Sequence, residues 1–135
     1  MFKIITYNVR GLNDATKRRK VFCWFKEQKA DIILLQETHC VLSKQNLFDA
    51  GWPGKIFHSA TNNPHHNGVA ILFRPNLKFD LLEEYRDNEG RILLLNVSID
   101  KLTYTIGSIY VPNNEKDEKG VCSLITQSLL LMILP

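Results

Sequence analysis

Apolar positions along this chain fall into short blocks separated by turn-forming residues, and the period changes from block to block. Residues 2–9 read as a strand, with Phe2, Ile4 and Ile5 ahead of a polar end. Over 14–28 the spacing becomes helical: Val21, Phe22, Trp24 and Phe25 form the side expected to be buried, and Asn13 or Asp14 is placed to cap the start. Residues 31–36 return to strand, with Ile32, Ile33, Leu34 and Leu35 uninterrupted. A polar helix or loop is expected through Asp49, then a turn at Gly51, Trp52, Pro53 and Gly54, a short strand at 55–60, and a loop at 61–67 rich in Asn, Pro and His. Further strands are predicted at 68–73, 81–86, 91–99 and 102–111. Asp87, Asn88, Glu89 and Gly90 turn one hairpin, and Asp100 with Lys101 turns the next.

Three blocks, 32–35, 69–73 and 92–97, are apolar on both faces. Such strands need cover on both sides, which predicts mixed α/β layers with helices on one side of a sheet and a second sheet on the other. The helix at 14–28 is expected on the outer face. No internal repeat and no low-complexity linker interrupts the pattern, and 135 residues suffice for one domain with a real core.

Composition narrows the class without choosing a function. Hydrophobic residues make up 44% and charged residues 23%, the balance of a globular chain rather than a disordered one. The net charge of +3 leans mildly toward polyanions. Cys23, Cys40 and Cys122 are scattered and odd in number, which points to a reducing, intracellular compartment and to no zinc site. The start of the chain lacks the charged-then-apolar layout of a signal peptide. The longest apolar run, 129–134, is far shorter than the roughly 18 residues that span a bilayer, so no membrane partner is expected. Lys17, Arg18, Arg19 and Lys20 crowd the first turns of the predicted helix, against its dipole. The cluster is either a solvated face or one that meets phosphate, and a solvated face is the ordinary case.

Candidate chemistry lies at strand ends. Glu37 follows the buried run directly, so its carboxylate sits at the rim of a sheet, where it can hold a cation without full burial. Asn8, Asn67 and Tyr110 occupy comparable positions. Singly, each has an ordinary reading: Asn8 caps a turn, Glu37 is an exposed acid, and Tyr110 is an amphipathic core residue.

In combination and in this order, the phrases TYNVRGLN, KRRKVFCWFKEQKADIILLQETH, NGVAILF, DNEGRILLLNVSI and GSIYVPNN resemble the endonuclease/exonuclease/phosphatase superfamily. Its members include apurinic/apyrimidinic endonucleases and deoxyribonuclease I, and the resemblance is nearest to the endonuclease domain of non-LTR retrotransposon reverse-transcriptase polyproteins. It spans residues 1–119, leaving 120–135 as a divergent apolar tail. The resemblance implies an α/β four-layer sandwich of the deoxyribonuclease I-like type, of which only the first half is encoded here. It also implies phosphodiester hydrolysis with Mg²⁺ or Mn²⁺, DNA as partner, and a nuclear location for a functional product. Glu37 resembles the metal-binding glutamate and Asn8 the asparagine beside it. Tyr110 resembles the tyrosine that hydrogen-bonds the scissile phosphate, and Asn113 a phosphate-contacting amide. His66 and Asn67 lie on a loop placed to touch nucleic acid, although an ordinary surface loop is the better reading.

Two departures matter. Arg10 stands where related repair enzymes often carry aspartate. The family's later motifs, Gly-Asp-x-Asn and a Ser-Asp-His triplet, do not occur in the 135 residues. None of His39, His58, His65 and His66 matches the family's general base; His39, two residues beyond Glu37, reads as a structural or rim residue that shares its strand face if the strand persists. These departures lead to the expectation of weak metal binding, catalytic inactivity of this stretch alone, and uncovered inner sheet positions that promote self-association. The competing readings are a non-catalytic retrotransposon-derived fragment with weak nucleic-acid binding, and the same fold acting on a phospholipid, inositol phosphate or nucleotide.

Overall fold

The computed structural model describes residues 2–111, and Asn113, the region around it and the apolar tail lie outside the described residues. Strand β1 (Ile4–Asn8) leads through helix α1 (Ala15–Glu27) to β2 (Ile32–Gln36). A 3₁₀ turn (Leu42–Lys44), a short helix α2 (Gln45–Asp49), and strands β3 (Ile56–Ser59) and β4 (Val69–Phe73) follow. The described chain then closes with β5 (Asp80–Arg86), β6 (Ile92–Ile99) and β7 (Leu102–Ile109).

These elements form two sheets. The first has the order β1-β2-β4-β3 and the second β5-β6-β7. β1 and β2 run parallel, joined by the α1 crossover, while β2, β4 and β3 pair antiparallel. The second sheet is wholly antiparallel, and its β6–β7 turn consists of Asp100 and Lys101 alone, between the paired Ile99 and Leu102. Both turn residues have positive φ, 51° and 67°, the conformation that lets a two-residue hairpin follow strand twist.

Helix α1 begins where Asp14 accepts a hydrogen bond from the Lys17 backbone N–H at 2.9 Å, so Asp14 rather than Asn13 is the cap. Phe22 and Phe25, three residues apart, are the helix's buried pair. They pack with Ile33, Leu35, Ala70 and Leu72 of the first sheet and with Phe48 of α2. Trp24, expected on the buried side, is instead 42% exposed beside Tyr7, because its position lies off the Phe22–Phe25 stripe.

The alternation of side chains along β2 and β4 divides one apolar run between two cores. Ile33, Leu35, Ala70 and Leu72 face the helices; Ile32, Val69, Ile71 and Phe73 face Leu93, Leu95, Val97 and Ile99 of β6. The described residues thus build a helix layer, a sheet and a second sheet, in agreement with the expected α/β sandwich. The expectation that inner apolar positions lack a cover is corrected for β2 and β4. Val69, Ile71 and Phe73 are fully buried, because the 92–109 hairpin is itself the opposing sheet. Among the described residues, β1 is the strand left open on that side. Ile4, out of phase with the helix-facing Ile5, is 53% exposed.

Two substitutions test this account. Phe25→Ala is expected to cost about 3–5 kcal/mol of stability by opening the helix–sheet core, and Asp14→Ala about 1 kcal/mol by removing the cap. Urea unfolding followed by circular dichroism measures both, and equal small losses would contradict it.

Candidate active site at the strand ends

Pairing register aligns the C-terminal ends of β1 and β2 with the N-terminal end of β4, and the C-terminal end of β7 with the N-terminal end of β6. The hydrogen bonds of Ser108 with Gln36 and Leu35 bring the two sets to one rim. Beyond the strands, the connecting segments stay hydrogen-bonded to one another. Backbone N–H groups of Val9, Gly11 and Leu12 donate to the carbonyls of Gln36, Glu37 and Thr38 at 3.0, 2.6 and 2.9 Å. On the other flank, Thr38 N–H donates to Gly68 O at 2.9 Å and His39 N–H to Asn67 O at 3.0 Å. The rim is therefore tied down on both sides of Glu37, where loops would otherwise be mobile.

Glu37 ends the strand pattern. Its φ is 53° and that of His39 is 57°, so the extended conformation stops at Gln36. The strand does not persist to His39, so His39 shares no strand face with Glu37: the left-handed residues turn the chain. Thr38 between them is fully buried and its hydroxyl accepts the Cys40 N–H. Gly68 permits this close approach. It has φ +91°, and a Cβ there would lie 2.3 Å from Thr38 Oγ1.

Tyr110 is brought to Glu37 by a polar link between the sheets. The Gln36 side-chain amide donates to Thr6 Oγ1 at 3.1 Å and to Ser108 Oγ at 3.2 Å, and Ser108 Oγ–H donates to Leu35 O at 2.8 Å. Two residues beyond Ser108, the Tyr110 backbone N–H donates to Arg91 O at 2.8 Å. Burial, then a side-chain hydrogen bond with Glu37 and the charge of Glu37, push the Tyr110 hydroxyl above its ordinary value. The phenol accordingly stays protonated, a hydrogen-bond donor beside a carboxylate.

Asn8 stands at the end of β1, in register with Gln36. Its Oδ1 accepts the Arg10 N–H at 3.1 Å, so it holds the turn that leads into the 9–12 segment. Asn67 likewise ties loops together, its amide donating to Glu89 O at 2.8 Å. His66 lies close enough to His39 to act on it electrostatically. Burial lowers the His39 pKa, the charge of Glu37 opposes this, and His66, His65 and Lys17 add to the lowering. Asn113 belongs to the undescribed region. Gln36, Thr38, Gly68 and Ser108 all lie within the motifs quoted, but the sequence assigns them no individual role, because their roles depend on partners distant in the chain.

No group of three or more His, Cys, Asp or Glu side chains clusters closely enough to hold a metal among the described residues. Glu37 and Asn8 offer one carboxylate and one amide oxygen. That is a hard-oxygen set of the kind Mg²⁺ takes when substrate phosphate and water complete its shell.

The described residues thus set a helix-backed sheet against a second sheet, with Glu37 and Tyr110 brought near each other at the strand-end rim. The chain belongs to the endonuclease/exonuclease/phosphatase family, whose sequence profile matches residues 5–129. It is 27% identical over 117 residues to the DNA repair nuclease APEX1 of Danio rerio, a match covering 82% of this chain and 36% of that protein. Among solved structures it is similar to the endonuclease domain of TRAS1, a telomere-specific non-LTR retrotransposon (TM-score 0.62, 16% identity, 93% of this chain and 52% of that one). It is also similar to a mannosyl-6-phosphatase from Bacteroides thetaiotaomicron (TM-score 0.73, 13% identity, 98% of this chain and 60% of that one). The two structural likenesses establish the fold alone. In each comparison the chain spans less than two thirds of its counterpart.

The Glu37–Tyr110 contact has a spectroscopic consequence. Because folding raises the tyrosine pKa, its contribution to stability is present below the ordinary value of about 10 and lost as pH rises through the higher folded value. Glu37→Gln removes the carboxylate charge, so the Tyr110 titration, followed by NMR of labelled tyrosine, should move down toward the ordinary value; an unmoved titration would refute the contact. Gly68→Ala is expected to lower stability by about 2 kcal/mol or more in urea unfolding, from left-handed strain and the Thr38 clash.

Proposed function

We propose that this chain carries the phosphate-facing part of a divalent-metal phosphodiesterase whose substrate is DNA. The observation that carries the reading is the electrostatic coupling of Tyr110 to Glu37 at the rim where Asn8 also ends its strand. Glu37, with Asn8 beside it, would hold Mg²⁺ or Mn²⁺. When bound, such an ion polarises a phosphoryl oxygen and steadies the leaving oxyanion. Tyr110, kept protonated by its surroundings, donates a hydrogen bond to a non-bridging oxygen of the scissile phosphate. Asn113 supplies a further amide to the phosphate, and the loop bearing His66 and Asn67 meets the neighbouring backbone.

DNA is favoured over a sugar phosphate or lipid because the curated relative named above is a DNA repair nuclease. The fold itself serves a sugar phosphatase equally well. A DNA substrate places the functional product in the nucleus. A single carboxylate compensates little of the cost of dehydrating Mg²⁺, so this stretch alone binds metal weakly and contributes DNA contacts without cleavage. The exposed inner side of β1, around Ile4, is the surface through which we propose it self-associates.

Two measurements on the purified chain test the reading. Mn²⁺ at millimolar levels should selectively broaden the NMR signals of Asn8 and Glu37, and Glu37→Gln should abolish that broadening. Supercoiled plasmid with Mg²⁺ should show no nicking above background; robust cleavage lost in Glu37→Ala would overturn the view that the stretch is catalytically incomplete.

A further inference from the structure

We propose that the hollow between the start of α1, the Leu42–Lys44 turn with α2, and the 61–67 loop is a subsite for one unpaired nucleotide of a DNA strand. The base would lie on its apolar floor and the phosphate on its cationic rim. The inference rests on the reading of the adjoining rim as a phosphodiester site, and extends it to the form of the substrate.

The hollow encloses about 840 Å³, within the range of small-ligand pockets. It begins at Gly11 and His39. Because Gly11 N–H donates to Glu37 O at 2.6 Å, its mouth opens one hydrogen bond from the candidate metal-binding residue. Charge and apolar surface are interleaved along its wall. Lys17, Arg18, Lys44 and His65 line it, while Asp14 is its sole carboxylate among the described residues, with one oxygen already accepting the α1 cap bond.

Lys17 Nζ donates to Val9 O at 2.8 Å and an Arg18 guanidinium nitrogen to Leu12 O at 2.9 Å. Both cations are thus positioned by carbonyls rather than neutralised by acids, and their charge remains available to an anion. The apolar lining comprises Leu47 at 68% exposure, exposed Pro64, and the buried Val41 and Phe48, with the Arg18 guanidinium 5.5 Å above the Phe48 ring.

A duplex presents phosphates on a convex surface and keeps its base faces stacked, so it would meet the cations and leave the apolar surface of Leu47 and Pro64 untouched. An unpaired base offers a flat apolar face of suitable size beside its own phosphate, which matches the interleaving.

The test is metal-free binding by the full chain, measured by fluorescence anisotropy over a salt series, with a labelled short oligothymidylate and a duplex of equal length. Lys44 and Leu47 are exposed, so their substitution spares the core. The single strand is expected to bind about fivefold tighter than the duplex. Lys44→Ala should reduce the salt slope by about one. Leu47→Ser should weaken the single strand about fivefold at unchanged slope and leave the duplex unaffected. Thymidine monophosphate competing as well as the oligonucleotide would show a free-nucleotide site and overturn the strand assignment. Equal effects on single strand and duplex, no effect of either substitution, or no single-strand binding would overturn the subsite. The readout needs neither metal nor cleavage. Mn²⁺ broadening at Glu37 with indifference to Leu47→Ser would therefore remove the hollow and keep the phosphodiester site, whereas the reverse would remove the metal reading alone.

Discussion

The Gln36 side chain joins the two sheets where the candidate site begins, and the site's geometry depends on that link. Through Ser108 it connects the end of β2 to the end of β7, while Ser108 in turn bonds the Leu35 carbonyl. Ser108 is buried, so these hydrogen bonds form where water does not compete and where their loss would leave a buried polar group unpaired. A hydrophobic contact holds two sheets together without specifying their relative register; a buried polar link of this kind fixes it. Glu37 and Tyr110, one and two residues beyond the link, are placed face to face as a result.

The rest of the rim follows the same logic. Backbone hydrogen bonds flank Glu37 on both sides, and glycine at 68 lets a buried threonine and a loop occupy nearly the same space. The carboxylate is presented by a left-handed residue after a strand buried on both faces, so its backbone has little freedom while its side chain reaches the surface. Such an arrangement suits a group that must hold position against a phosphate ester.

Several expectations held because they rested on local physics. The doubly apolar runs at 32–35 and 69–73 became central strands with a core on each face, and the Asp100–Lys101 turn closed a two-residue hairpin. Trp24 departed from expectation because the helical period was extended over a residue that faces Tyr7 at an open edge. The strand ends at Gln36, which sets His39 off the strand face. The inner sheet positions proved covered because the second sheet is made by residues 80–109 of the same chain.

What residue order alone determined was the set of elements, the alternation that buries them, and the strand-end placement of Asn8, Glu37 and Tyr110, since each is governed by neighbours a few positions away. Which strands pair, how Ser108 reaches Leu35 across 73 positions of sequence, and the meeting of Glu37 with Tyr110 were decided only in the folded chain. Those contacts join residues far apart along the backbone, and no local period encodes the register that brings them together.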